Sequence, residues 1–459
     1  MAITLRPAVW LAPAGVLLAG LWPLTAYAVS PLLMPAGLAV SALAVAVVRR
    51  PALGVASVLT LAPLQNLTVG SIRPLNLLIP AMTFALVALL VLRPVDKEGE
   101  RGRSFLLRPA ALGMVGAGLL SSLLAIDPAH SVNDMTVLLV AAALLFAVME
   151  VGRRPEEVMV VIAGAVAGLA LAACHGLLQQ ATGDFHAFAA SQSHASVGRL
   201  QGAFGHPNAY GSFLALLMPV AGALALTRGA GRALRLLGAV ALVLAVPAVA
   251  LSYSRGAIGA VVLGTLVWVA FSRPRAALLI AAVVAVLGAT LAPAVVTQRF
   301  ESSSSDVPLR HDIWNAAVDI YAQHPIAGAG LTNFSRAYER LPAVVPGGSQ
   351  RRLLHETMVL VPPHAQNLYL NLLAEQGIIG LVAFLLFAAA LLAVLIGATR
   401  SRVPGTRPLA IGIGAGVLGF LLQSMLDALL YGEHALPLFA LAGAAGCMLR
   451  LAREGVPMV

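Results

Sequence analysis

Apolar stretches divide this chain, about thirteen or fourteen of them at roughly twenty residues each, the length a helix needs to cross the hydrocarbon core of a bilayer. A backbone in hydrocarbon has to satisfy its own N–H and C=O groups, so only helices and closed barrels are open to it. Barrel strands alternate apolar and polar residues over about ten positions, whereas the runs at 137–148, 236–251 and 276–292 are unbroken. With 59% hydrophobic and 10% charged residues among 459, a soluble domain is excluded as well. The expectation is an all-α, polytopic transmembrane helical bundle of about 12–14 spans. The spans fall at 8–28, 31–48, 51–67, 74–92, 109–126, 135–151 and 157–180, then at 205–226, 234–252, 256–271 and 276–296. After one long polar segment, 298–365, they resume at 366–394, 408–430 and 435–450.

Charge distribution orients the bundle. Apart from Arg73, Arg199, Arg255, Arg299, Arg310, Arg336, Arg340, Arg351 and Arg352, the 29 Lys and Arg residues lie on alternate connections between spans. The positive-inside rule makes those connections, and both termini, cytoplasmic. The net charge of +10 is then a topology signal with some contact to anionic membrane lipids, and nucleic acid is not an expected partner. The first apolar run ends in T-A-Y-A-V, similar to a signal-peptidase site, but its length and Pro13 and Pro23 favour an uncleaved helix. Cys174 and Cys447 sit inside apolar spans and read as small buried residues, not a disulfide or metal site.

The segment 298–365 is too long for a passive connection. From Arg310 onward, Ile313, Trp314, Ala317, Ile320 and Tyr321 follow helical spacing. H-P-I-A-G-A-G then predicts a turn, and 332–341 a second short amphipathic helix carrying Phe334, Tyr338 and Leu341. Such helices lie on a bilayer surface or cap a cavity.

Four polar constellations border the apolar spans. In G-R-L-Q-G-A-F-G-H-P-N-A-Y-G, 198–211, Arg199 precedes His206, Pro207 and Asn208 at the mouth of a helix; the motif reads equally as a site or as a helix start behind a glycine turn. In L-S-Y-S-R-G-A, 251–257, Arg255 between two apolar helices is costly unless it faces a cavity or an anion, or snorkels to the interface. A guanidinium fork fits a diphosphate bidentately. Arg310, opening R-H-D-I-W, closes over the same anion or pairs with Asp306. Finally, His364, Asn367, Asn371 and Glu375 form one polar stripe, with the histidine suited to general-base work at the membrane boundary. The alternative for that stripe is packing against Gln423, Ser424 and Asp427 of the next helix. No His, Cys or carboxylate spacing suggests a metal, and no nucleotide loop or D-x-D pair is present, so no cofactor is expected and the energy comes from a preactivated donor or an ion gradient.

Together these segments resemble the O-antigen ligase and O-antigen polymerase superfamily of bacterial inner-membrane glycosyltransferases. The resemblance covers roughly 195–380 and is carried by G-A-F-G-H-P-N, S-R-G-A, R-H-D-I-W with H-P-I-A-G-A-G, and H-A-Q-N-L-Y-L-N-L-L-A-E-Q-G-I-I-G. It divides the chain into N-terminal transmembrane helices (1–194), a ligase-like core (195–380) and C-terminal transmembrane helices (381–459). It implies metal-independent, inverting transfer on the periplasmic face, from a glycan carried on undecaprenyl diphosphate to a sugar hydroxyl. The acceptor is lipid A-core or a growing glycan. Arg255 and Arg310 match the diphosphate-binding positions, with Arg199 a third; His364 is the base, supported by Asn208, Gln366, Asn367 and Glu375. Relatives place their histidine immediately before Asn, Ser or Gln, with nine further residues between that residue and G-x-x-G. Here Gln366 occupies that position and His364 lies two residues earlier, which raises repeat-unit polymerisation as the companion expectation. Transfer to a protein hydroxyl is a further branch. A transporter or flippase for a lipid-linked solute is the rival class, and it predicts paired broken helices in both halves.

Overall fold

A computed structural model describes residues 47–66, 74–91, 106–183, 198–272, 306–341, 362–430, 432 and 434–459. The expected spans at 8–28 and 276–296, most of that at 31–48, and loop residues 298–305 and 342–361 lie outside the described residues. Regular structure among the described residues is helical throughout, as expected. In order it comprises α1 (Pro51–Leu61), α2 (Pro74–Val91), α3 (Leu107–Leu123), α4 (Val132–Val151), α5 (Pro155–Thr182), α6 (Pro207–Leu226), α7 (Arg232–Leu251) and α8 (Arg255–Ser272). Next come α9 (Asp306–Gln323), α10 (Phe334–Glu339), α11 (Leu368–Thr399), α12 (Thr406–Gln423) and α13 (Ala435–Arg453). Among them, α4 with the 3-10 turn before it, α5, α6, α7, α11, α12 and α13 are long and apolar enough to cross a membrane; α1, α2, α3 and α8 are shorter apolar helices. The chain is a multi-pass helical membrane protein.

Side-chain size shows which solvent the bundle was built for. Helix α7 buries Gly238, Ala241, Ala245 and Ala248, and exposes Leu236, Val240, Val243 and Val246. Small residues inside and large apolar ones outside reverse the soluble pattern, because lipid tails solvate Leu as well as a protein core does and only close packing remains to hold helices together. The same logic seats α12 against α6, where a methyl group on Gly416 would overlap the Leu216 carbonyl oxygen. Helix α6 is the axis. It packs on α5, α7, α8 and α12, and positions 210–224 are all buried. Outside this group, α1 packs on α5, α4 on α13, and α11 on α3, α12 and α13. The basic residues of one bundle end join neighbouring helices there: Arg50 pairs with Glu157 at 3.1 Å and Arg108 with Glu150 at 3.8 Å, while Arg450 donates to the Gly152 carbonyl at 2.6 Å.

Helix α11 is broken at Gly377 (φ 63°, ψ −162°), a conformation that glycine adopts at little cost. An unbroken helix would bond the Ile378 N–H to the Ala374 carbonyl and the Ile379 N–H to that of Glu375. The loop segment H-P-I-A-G-A-G inserts between these groups instead. Ala329 N donates to Ala374 O at 2.8 Å and Gly330 N to Glu375 O at 2.9 Å, while Ile378 N donates to Pro325 O at 2.9 Å and Ile379 N to Ile326 O at 3.4 Å. Four inter-segment bonds replace the two lost, which is what lets a membrane helix open without orphaned backbone groups. The approach is so close that a side chain on Gly328 would overlap the Glu375 carbonyl carbon, and one on Gly377 the Ile326 carbonyl oxygen. The expected turn is thus a splint. Its far side is stitched to the α3–α4 connection: Ile126 N donates to Ala329 O at 2.9 Å, Ser131 Oγ to Leu331 O at 2.7 Å, and the Asn333 amide accepts from Asp127 N at 3.0 Å.

The two loop helices also differ from surface-lying ones. Ile313, Ala316, Ala317 and Ile320 of α9 and Phe334, Ala337 and Tyr338 of α10 share a small core with Ala365 and Ala374, so they cap the first turns of α11. Gly377→Ala should combine a left-handed alanine with a clash against Ile326 and lower stability by roughly 2–4 kcal/mol. The check is the thermal unfolding midpoint of detergent-purified protein, which should fall well below that of a Gly397→Ala control.

Candidate functional site

Arginine residues gather where α7 turns into α8. The turn 252–254 reverses the chain through Tyr253 in the left-handed region (φ 50°). Ser252 Oγ accepts the Ser254 N–H at 3.3 Å and Ser254 Oγ accepts the Ala257 N–H at 3.4 Å, capping α8. The chain ahead of α6 lies across this turn: Leu200 N donates to Leu251 O at 3.1 Å, Arg199 Nε to Ser252 O at 3.0 Å, and Arg199 Nη2 to Asn208 Oδ1 at 3.3 Å. His206 caps α6, its Nδ1 accepting the Asn208 N–H at 3.0 Å, with Pro207 in the first turn. Gly211 admits the turn, since a Cβ there would stand 2.8 Å from Ala257 Cβ. The 198–211 motif is thus a helix start behind a glycine turn and also a polar mouth. Arg255, the first residue of α8, is exposed and makes no hydrogen bond or ion pair with another described residue.

The second group surrounds the start of α11. Asn367 caps that helix, its Oδ1 accepting from Tyr369 N at 3.0 Å and Leu370 N at 3.2 Å. Gln366 before it is left-handed (φ 51°), and its N–H donates to His364 Nδ1 at 3.1 Å. That bond leaves the neutral ring's proton on Nε2, and Nε2 faces Asp427 Oδ1 at 3.7 Å, an ion-pair distance too long for a hydrogen bond. Lower on the stripe, Asn371 Oδ1 accepts the Ala365 N–H at 3.0 Å and its amide donates to Glu375 Oε2 at 3.0 Å. Glu375 Oε1 accepts the Phe334 N–H at 3.3 Å. The polar stripe is therefore divided: its top faces the α12–α13 connection as the packing alternative expects, and its bottom faces the loop, because the splint occupies the side on which α11 opens. Asp427, which the sequence offers only as a packing partner, stands beside the histidine; its position four residues past the end of α12 carries no signal of that.

The end of α12 joins the two groups. Leu368 N donates to Ser424 O at 2.7 Å, and Tyr369 Oη to Leu421 O at 2.8 Å. On the other side Gln423 lies against α8 at Gly256, whose added Cβ would stand 3.3 Å from Gln423 Cγ. Arg310 sits on α9 one turn before Ile313, on the stripe that shares its core with Ala365. No packing contact among the described residues joins Arg310 to the elements that carry Arg199 and Arg255.

His434, just ahead of α13, braces the floor of this end. Its Nε2 lies 2.8 Å from the Ala209 carbonyl oxygen and 2.5 Å from Ser212 Oγ, and its ring stands among Phe204, Phe213 and Phe420. Burial pushes this imidazole down from the ordinary 6.5 to about 4. The unfolded chain then binds the extra proton between those values, so stability is whole above the ordinary pKa and is lost as pH falls. Acidification from pH 7 to 5 should cost roughly 2 kcal/mol through this group. Melts of the wild type and His434→Gln at both pH values should show the smaller drop in the variant.

The fold defines a multi-pass helical membrane protein, and at this polar end the candidate residues stand at helix termini. Residues 240–385 match the family model described as O-antigen ligase, a span that contains Arg255, the splint, His364 and the break in α11. The match supports a likeness of this region to the O-antigen ligase and polymerase superfamily and a ligase- or polymerase-type role in glycan assembly. None of the curated proteins matches the chain.

Proposed function

We propose that the chain is an inner-membrane glycosyltransferase that moves a glycan from undecaprenyl diphosphate to an acceptor sugar hydroxyl on the periplasmic face, inverting at the anomeric carbon and without metal. The observation that carries this reading is that the end of α12 links the head of α8, where Arg255 is exposed, to the head of α11, where His364 lies beside Asp427. A diphosphate leaving group develops charge as its bond to the anomeric carbon breaks, and preorganised guanidinium groups stabilise that charge most where water is scarce. In this reading Arg255 takes that charge, Arg310 approaches it from α9, and Arg199 orders the turn beneath through Ser252 and Asn208.

The proton of the acceptor hydroxyl goes to His364 Nδ1, the ring atom with a lone pair, as the acceptor displaces the Gln366 N–H. The acceptor oxygen forms the new bond to the anomeric carbon from the face opposite the departing diphosphate. Asp427 stabilises the resulting imidazolium through Nε2–H, drawing in from its resting distance. Asn208, Gln366, Asn367 and Glu375 hold this geometry rather than react. The basic end of the bundle faces the cytoplasm by the positive-inside rule, which directs the site outward.

The family match favours a ligase. Gln366 at the position where ligases carry their histidine favours the second reading, polymerisation of repeat units from the same donor. Deletion of the gene, then inspection of surface and lipid-linked glycan, separates them: unattached polymer on the lipid means ligase, single repeats on the acceptor mean polymerase, and an unchanged glycan profile removes both. In a transfer assay at wild-type protein levels, Arg255→Ala and Arg310→Ala should each lose about 10²–10³ in rate, and His364→Ala about 10²–10⁴. Asp427→Asn should fall by about 10², because the imidazolium loses its counter-charge; wild-type activity in that variant would return the aspartate to a packing role.

A further inference from the structure

One buried polar side chain in this end of the bundle has an atom that no structural bond uses. Gln423, on the last turn of α12, is 4% exposed, and its side-chain carbonyl oxygen Oε1 is buried with no hydrogen-bond partner among the described residues. Leaving a buried acceptor unmet is unfavourable, so such a group calls for a partner that the described residues do not supply. The amide is also placed to meet one. It lies along Gly256, where an added Cβ would stand 3.6 Å from Gln423 Nε2, so only a glycine separates the amide from the turn that carries Arg255. In the other direction, the same chain end continues through Ser424, which accepts from Leu368 N, to Asp427 beside His364. Gln423 therefore stands between the group that would hold the diphosphate and the group that would take the acceptor's proton.

We infer that Gln423 is a substrate-binding residue that hydrogen-bonds hydroxyl or amide groups of the sugar attached to the lipid diphosphate, a reading that rests on the proposed donor. The chemistry fits the location. An amide offers one acceptor and two donors, the pattern that matches the vicinal groups of a pyranose, whereas phosphate oxygens would leave Oε1 as orphaned as before. A site built to pair with a sugar group rejects the ligand that lacks it, because the buried partner is then left unmet. Gln423 would thus tell a glycosylated lipid diphosphate from the spent carrier, favouring release of product after transfer.

The test measures binding to the purified full-length chain in detergent with two probes, undecaprenyl diphosphate and the same lipid diphosphate bearing one N-acetylglucosamine. The wild type should bind the glycosylated probe about tenfold tighter. Gln423→Met, close in volume, should bring that affinity to the level of the bare probe, leave bare-probe binding unchanged, and keep or raise the thermal midpoint because the orphaned oxygen is gone. Gln423→Asn, which withdraws the amide by one methylene, gives the same comparison should the methionine variant not fold. A variant that keeps the tenfold gap, or weakens both probes equally, overturns the inference. Equal binding of both probes by the wild type also overturns it while sparing the donor reading. Failure of the wild type to bind either probe removes the donor reading, and the inference with it.

Discussion

A backbone amide in hydrocarbon has no water to fall back on, and that requirement governs how α11 can be broken. Opening a membrane helix strands two N–H and two C=O groups, each costing several kcal/mol if unmet. The segment 325–330 meets all of them by backbone bonds. The loop that carries Arg310 is consequently no appendage. Its middle is part of the helix it interrupts, and its flanks are held by the α3–α4 connection through Ile126, Asp127 and Ser131. Because the bonds are backbone to backbone, they fix the register of the loop against α11 independently of side-chain rotamers. The head of α11, from Asn371 through Ala365 to His364, inherits that register.

Neutral groups do most of the remaining positioning. Asn367, Asn208, Asn371, His206 and the serines of the 252–254 turn cap or bridge helix ends, and ion pairs are few near the site among the described residues. In a membrane this division has a physical reason: a neutral amide partner satisfies a helix end without the desolvation penalty of a fixed charge. It also separates the arginines by role. Arg199 spends two of its nitrogens on Ser252 and Asn208, so it belongs partly to the scaffold. Arg255, exposed and one residue past a capped turn, makes no such bond with another described residue.

Much of this architecture is legible in the sequence. Apolar run length sets the helical class, and the spans at 205–226, 234–252 and 256–271 correspond to α6, α7 and α8 within a few residues, with the chain reversal between Ser252 and Ser254 falling where S-Y-S-R-G interrupts the apolar pattern. The second loop helix, expected at 332–341, is shorter, Phe334–Glu339, since Asn333 is drawn into bonds with Asp127, Ser131 and Leu331. The break in α11 is not legible. Gly377 follows Glu375 and Gln376 at the edge of an apolar run, and helical spacing continues across it; the distinguishing fact is a partner peptide some fifty positions earlier, which no local pattern encodes. Glycines in H-P-I-A-G-A-G announce a turn, but they are there for contact distance as well as for turning. Asp427 and Gln423 escape for a related reason, because polar residues near the end of an apolar helix look alike whether they cap it, pack, or face a ligand.

The rival class, transport of a lipid-linked solute, is weighed by the same break. Transporters use paired discontinuous helices in two repeats, opening a mid-membrane site where freed backbone groups coordinate the cargo. Here, among the described residues, α11 alone has a non-helical residue inside it, and its freed groups are filled by the chain's own backbone, leaving nothing for an ion or a solute to bind. Arg199, Arg255, His364, Gln423 and Asp427 collect at helix termini on one end, not along a path through the bundle. A site of that shape is compatible with the proposed lipid-linked donor, whose tail would stay in the bilayer while its head group meets this end of the bundle.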